Sequence, residues 1–254
     1  SLPIRFPGYD RNSFLASFMT LHSFDIPLLR AALWTEEPLE ASWPEGLEAA
    51  SGAPDVAFVP AIQRRRLGRL AKGMLHCAHR LCPEPGDRRT VFASRHGELE
   101  RTVTILNDLA TGTELSPTLF SLSVHNAVAG LWSILQGNHG PSTALAAGTS
   151  TFGWGILDAF FALNQSPHEP VLYVFGEDRI PELYQPFLPG NEPAHAMAFL
   201  VGRPAAFTLT VTWNDEPQSD LSSEAQSLHF LQSLTCAESL PWRGREGAWN
   251  WHVG

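Results

Sequence analysis

The sequence predicts an α/β fold in which helices are layered on a mixed sheet, and three features lead to that class. Short apolar runs alternate with longer amphipathic stretches from residue 59 to residue 175. Such alternation is the pattern of helices covering a sheet. Two more strand-like runs, 194–201 and 206–213, then follow one another directly, so part of the sheet is antiparallel. Finally, the 254-residue chain is 44% hydrophobic and only 17% charged. That is a globular balance, leaner in charge than the usual ~25%. It fits either a large core or a surface partly covered by a partner.

The elements follow in chain order. Residues 13–24 are rich in Phe and Leu and read as a first buried strand. IPLLRAALW, residues 26–34, reads as a helical stretch, and residues 35–58, with many Pro, Gly, Glu and Ala, as a loop. Val59-Pro60 opens a helix that runs to Cys82, because Pro is tolerated in a first helical turn. Ile62, Leu67, Leu70, Met74, Leu75 and Leu81 make its apolar stripe, with Arg64, Arg65, Arg66, Arg69 and Lys72 largely off it. Pro83, Pro85 and Gly86 end it. Thr90–Ser94 is a short strand. Glu98–Leu109 is an amphipathic helix with Leu99, Val103, Leu106 and Leu109 on one face, capped by Gly112. Ser116-Pro117 is a turn, and 119–136 a mostly apolar helix. Residues 142–147 form a strand and 150–164 a second apolar helix.

Residues 170–175 are continuously apolar, as in a strand covered on both faces. Gly202-Arg203-Pro204 is short enough to make 194–201 and 206–213 a hairpin. In the second of these, Phe207, Leu209 and Val211 face one way and Thr208, Thr210 and Thr212 the other. Ser222–Leu234 is the last helix, before a tail holding Trp249 and Trp251. The chain is read as one domain, residues 12–254. Residues 1–11, which begin with Ser, are set aside as an N-terminal extension or an expression remnant.

Charge and motifs narrow the function. A net charge of −9 argues against nucleic acid, whose phosphates are bound by Lys and Arg. Cys77, Cys82 and Cys236 form no CxxC and suit a reducing, cytoplasmic setting. No apolar run reaches the ~18 residues of a membrane span, and the N-terminus lacks a signal peptide's apolar centre. No phosphate-binding glycine loop is present, so no cofactor is expected. His76 and His79 share a helix face without a third ligand, so no metal is expected.

The segment Ser116 to Leu163 carries most of the functional information. It reads as helix, Gly-Pro turn, short strand, tight turn and second helix. HGPS at 139–142 through Ala159, NAVAG at 126–130 and the strand at 90–94 resemble the stretch in which β-ketoacyl synthases present their nucleophilic cysteine. PAIQRRRL at 60–67, FASRHGE at 92–98 and FSLSVHN at 120–126 resemble a truncated branch of that family, the ketosynthase-like N-terminal domain proteins of aryl-polyene and related pigment pathways. The resemblance implies a thiolase-like half-fold.

On that alignment the cysteine position falls on Thr149, with Gly148 and Ser150 adjacent. The two histidines of the family's second half, in His-Gly-Thr-Gly-Thr and Asn-Xaa-Gly-His stretches, do not occur here. The resemblance therefore implies a non-catalytic subunit like a chain length factor, which heterodimerises with an active ketosynthase and shapes its acyl tunnel. Strand 142–147 (Ser142, Thr143, Ala144, Leu145, Ala146, Ala147) would pair across a two-fold, because an uncharged edge strand invites a partner. Phe152, Trp154, Phe160 and Phe161 would line the tunnel or interface. Arg64, Arg65, Arg66 and Arg69 would meet an acidic acyl carrier protein.

Each reading has a plainer counterpart. Thr149 and Ser150 suit a helix N-cap, the aromatic cluster suits a core, and the basic run suits a solvated helix face. Two rival functions stay open. One is an acyltransferase or thioesterase-like enzyme using Ser150 or Thr149; His125, His96 and His139 flank the region, with His125 as the conceivable base of a triad. The other is a homodimeric acyl-binding module.

Overall fold

The computed structural model describes residues 21–38, 46–188, 192–216, 218–234 and 241–254. Among these, nine strands form one sheet: β1 (Leu21–Thr35), β2 (Leu47–Ser51), β3 (Thr90–Ala93), β4 (Ser142–Leu145), β5 (Val171–Glu177), β6 (His195–Val201), β7 (Phe207–Asn214), β8 (Trp242–Gly244) and β9 (Gly247–Val253). Their order is β4-β3-β5-β6-β1-β7-β9-β8, with β2 beside the second half of β1. The β3–β4, β3–β5 and β1–β2 pairs are parallel and the remaining pairs antiparallel, which makes the sheet mixed as its sequence pattern predicts.

Side chains alternate across a strand, so a strand apolar at every position needs cover on both faces. Val171, Tyr173 and Phe175 of β5 join one core, while Leu172 and Val174 join the other. Helices α6 (Thr151–Gln165) and α7 (Gln226–Ser233) contribute Phe152, Ile156, Leu163 and Phe230 to the first core. Helices α2 (Arg69–Leu81) and α5 (Ala127–Gln136) contribute Leu70, Met74, Leu75 and Trp132 to the second. The sheet is thus the middle of three layers.

Four expectations are corrected. Residues 26–34 are strand, not helix: they lie in β1, flanked by β6 on one side and β7 or β2 on the other. Tertiary pairing overrides the helical preference of Leu and Ala there. The stretch 35–58 is not loop throughout, since it contains β2, and residues 13–20 and 39–45 lie outside the described residues.

β6 and β7 do not pair as a hairpin, because β1 lies between them. The connection spans β1 and bonds to it, Gly202 N donating to the Pro27 carbonyl and Ala206 N to the Leu28 carbonyl. The long helices at 60–82 and 119–136 are each broken. α1 (Ala61–Arg64) stops before α2, with Gly68 in extended conformation as the N-cap of α2. A Cβ at Gly68 would lie 2.6 Å from a Glu98 carboxylate oxygen. Ile62, expected on the buried stripe, is left 70% exposed. Likewise α4 (Pro117–Ser121), capped by Ser116 Oγ, ends before α5, and His125 in the gap donates from Nε2 to the Ser94 carbonyl.

Helix α3 (Leu99–Thr111) ends at Gly112 in left-handed conformation, as the sequence indicates, yet Leu106 and Leu109 of its apolar face are exposed. β4 is a terminal strand of the sheet and largely exposed, as the edge reading expects, but ends at Leu145, so Ala146 and Ala147 lie beyond it. Trp242, Trp249 and Trp251 do pack into the first core.

Helix α6 lies very close to the sheet. A Cβ on Gly155 would stand 2.6 Å from the ring of fully buried Tyr173, whose hydroxyl donates to the Phe152 carbonyl at 2.8 Å. Gly155→Ala is expected to cost about 1–3 kcal/mol through overpacking. That outweighs the ~1 kcal/mol that Ala gains over Gly in a helix, and thermal denaturation should show a lower Tm.

Candidate functional site

The turn preceding α6 is built by glycine and threonine. Gly148 adopts φ +56°, the left-handed region where glycine is least strained, and starts a short 3-10 turn, Gly148–Ser150. The Thr151 hydroxyl donates to the Gly148 carbonyl at 2.7 Å and accepts the Ala147 N–H at 2.9 Å, which fixes the turn to the helix. Gly153 N, otherwise a free donor of the first helical turn, bonds to Gln226 Oε1 at 2.7 Å.

The three residues around the expected cysteine position have different settings. Thr149 is exposed and lines a cavity of about 80 Å³. Ser150 is only 1% exposed, and its Oγ has no hydrogen-bond partner among the described residues. It sits under β8: a Cβ on Gly244 would lie 3.4 Å from Ser150 Oγ. A hydroxyl needs an adjacent base to attack at neutral pH, and among the described residues neither of these hydroxyls bonds to one.

Of the three histidines expected to flank the turn, only His96 lines the cavity, and His125, the conceivable base, does not. His125 bonds to the Ser94 carbonyl, and exposed His139 lies 3.4 Å from Asp87. The cavity opens at the carboxyl ends of β3 and β5, where open α/β sheets place their ligands.

Its walls include groups that sequence reading missed: Glu177, Glu192, Gln226 and Ser227. Burial raises Glu177 to a pKa of about 8, against bonds from the Arg95 N–H and from His96 that oppose the rise. One carboxylate oxygen of Glu177 accepts the Arg95 N–H, and the Ser94 hydroxyl lies 3.5 Å away. Burial also raises Glu192, which accepts the Ala225 N–H, and lowers His96 to about 4 beside Arg95. Burial therefore holds Glu177 and His96 uncharged at neutral pH. The signal available for Glu177 was a carboxylate closing an otherwise apolar strand, VLYVFGE.

The other predicted residues are spread over the fold. Phe152 is core and also lines the cavity. Trp154 packs edge-on against Trp213 and Trp249. Phe160 and Phe161 meet Phe24 near the opposite end of α6, with Phe161 46% exposed. Arg69 is engaged by Glu36 and Asp178, whereas Arg65 and Arg66 are exposed. His76 accepts the Asp55 N–H, and His79 stacks on Phe58. No helix among the described residues is long and apolar enough to cross a membrane.

The family model described as the β-ketoacyl synthase N-terminal domain matches residues 34–252. Among solved structures, the chain is similar to a chain in the complex of a ketosynthase (ApeO) with its chain length factor (ApeC) from Xenorhabdus doucetiae. The two are 31% identical, with a TM-score of 0.64 over 76% of this chain and 81% of that one. It shares the fold of a β-ketoacyl synthase from Burkholderia phymatum STM815 at 13% identity and a TM-score of 0.51, over 72% of this chain and 56% of that one. No curated protein matches the chain.

Glu177 links the site to pH. Its folded pKa lies above the ordinary value of 4.5, so its contribution to stability is complete below the unfolded pKa and is lost as pH rises through about 8. Glu177→Gln should retain more of its acid-side Tm than the wild type between about pH 5 and pH 9. Equal Tm slopes for the two proteins would contradict the burial of this carboxyl.

Proposed function

The chain belongs to the β-ketoacyl synthase N-terminal domain family, and from that premise we propose that it works as a chain-length-factor-like subunit beside an active ketosynthase. It forms no carbon–carbon bond itself. The observation that carries this reading is the turn before α6. Where the family resemblance places a thiolate, this chain offers Thr149 with no base bonded to it and Ser150 sealed under β8. A condensing enzyme must hold an acyl chain at that position, and these groups are unsuited to it.

Two features support a ketosynthase partner. One is the similarity to a chain of a ketosynthase–chain length factor complex. The other is β4, whose outer edge has no strand beside it among the described residues and which carries no charge to discourage pairing. Pairing there would place α6 near the partner. In this reading Phe152, Trp154, Phe160 and Phe161 shape the far end of the partner's acyl tunnel. Arg64, Arg65 and Arg66 are the cations left for an acidic carrier protein, since Arg69 is already taken up by Glu36 and Asp178. The working compartment is the cytoplasm, and an aryl-polyene-type pathway is the leading context.

Co-expression with the ketosynthase encoded nearest to this chain tests the assignment. A 1:1 complex should co-elute, and Ala144→Lys on β4 should weaken it while leaving the chain folded by circular dichroism. A homodimer that ignores the ketosynthase would refute the heterodimer. A stoichiometric acyl adduct on Thr149 or Ser150, mapped after incubation with acyl thioesters, would return the site to catalysis.

A further inference from the structure

Ser227 and His195 form a hydrogen-bonded pair beside the cavity, apart from the turn that lost the thiol. His195 Nε2 lies 2.8 Å from Ser227 Oγ, and His195 Nδ1 lies 2.9 Å from the Pro193 carbonyl oxygen. A carbonyl oxygen can only accept, so Nδ1 carries the proton and Nε2 accepts from the serine hydroxyl. The first distance falls within the range of a nucleophile and its base, and the second within that of an ordinary hydrogen bond. His195 is fully buried, and burial lowers its pKa, so the ring is neutral with its Nε2 lone pair available. Nucleophile, base and orienting acceptor are all present, with a backbone carbonyl where an acidic side chain usually stands.

The surroundings complete the arrangement. Ser227 is as buried as Ser150, at 1% exposure, but unlike Ser150 it lines the cavity, as does its neighbour Gln226. Gln226 is 2% exposed, and its Oε1 is occupied by the Gly153 N–H. Its Nε2 has no partner among the described residues. An unsatisfied buried donor beside a serine suits an oxygen that gains negative charge during acyl transfer. The cavity, about 80 Å³, is far smaller than the ~300–1,000 Å³ of ordinary ligand pockets and admits only a short acyl group.

We infer that Ser227 and His195 form a hydrolytic site that cleaves short-chain acyl esters or thioesters. Ser227 Oγ attacks the acyl carbonyl carbon while its proton passes to His195 Nε2. The carbonyl π electrons move onto the oxygen beside Gln226 Nε2. Collapse breaks the bond to the leaving sulfur or oxygen, which takes the proton from His195. Water then attacks the acyl-serine, giving a proton to His195, and release of the carboxylic acid returns that proton to Ser227. The net change is ester or thioester plus water to acid plus alcohol or thiol. This activity stands apart from the subunit role, because an adduct on Ser227 bears on neither partner nor condensation.

The test uses the purified chain, or its complex if it purifies only as one, with a small fluorophosphonate and with p-nitrophenyl acetate. Peptide mapping of the wild type should place a stoichiometric fluorophosphonate adduct on Ser227. Ser227→Ala and His195→Gln should each lower esterase activity at least ~100-fold. Gln226→Glu, which keeps the acceptor for Gly153 and removes the donor, should lower it ~100-fold or more. No adduct on Ser227, an adduct confined to another residue, or full activity in Ser227→Ala would overturn the inference. The wild-type map decides without any variant, so a variant that fails to fold leaves the test intact.

Discussion

The closeness of α6 to the sheet constrains the rest of the site. Gly153 and Gly155 are one helical turn's worth of missing side chains: a Cβ on either would stand 2.6 Å from a ring, Trp249 in one case and Tyr173 in the other. With the helix seated that low, the Phe152 carbonyl comes within reach of the Tyr173 hydroxyl, and Gly153 N comes within reach of Gln226. The first bond fastens the helix to the sheet and the second fastens it to α7. The cavity is what remains between the start of α6, the start of α7 and the ends of β3 and β5. A raised helix would open all of these contacts together, because close-packed interiors transmit a displacement rather than absorb it.

Burial sets the electrostatics of the cavity and solvent sets those of its rim. Inside, Glu177 and His96 lose their charges because no full partner compensates their desolvation. At the rim, Glu36 stands between Arg69 and Arg179, and its carboxyl is held below the ordinary value by its bonds to both. Those pairs are solvated, so each adds little to stability. Their effect is geometric: they hold the end of β1, the start of α2 and the segment after β5 in register at the mouth of the cavity. Glu98 takes an intermediate position. Its carboxyl is buried enough to be raised, yet it is bonded to Arg101, and it presses on Gly68, where the long N-terminal helix breaks.

Much of the scaffold was legible in the sequence because it depends on local pattern. The continuous apolar run of β5, the cap at Gly112 and the order strand, turn, helix from residue 142 to 164 were legible from composition and spacing, although the strand ends at Leu145. What failed was non-local. β1 has helix-forming residues and becomes a strand only because β6 and β7 clamp it from both sides. The same insertion undoes the hairpin that Gly202-Arg203-Pro204 suggested. The site divides in the same way. Gly148, Thr149 and Ser150 were legible as a tight turn before a helix, since they are contiguous in the sequence. Glu177, Glu192, His195 and Ser227 are drawn from separate elements, and no spacing rule brings them together. His195 and Ser227 are 32 positions apart and meet only because β6 runs beneath the start of α7.

The turn before α6 keeps its shape without help from the side chain at Thr149. The turn is held by Thr151, bonded to Gly148 and Ala147, and none of those bonds needs a reactive group at Thr149. Here β8 has settled over Ser150, and Trp242 is anchored by its N–H to the Glu224 carbonyl. A nucleophile must be reachable by its substrate, and a strand over Ser150 leaves that hydroxyl 1% exposed. The same strand carries Trp242 into the wall of the cavity. The cover over Ser150 and part of the enclosure around Gln226 and Ser227 are therefore supplied by one strand.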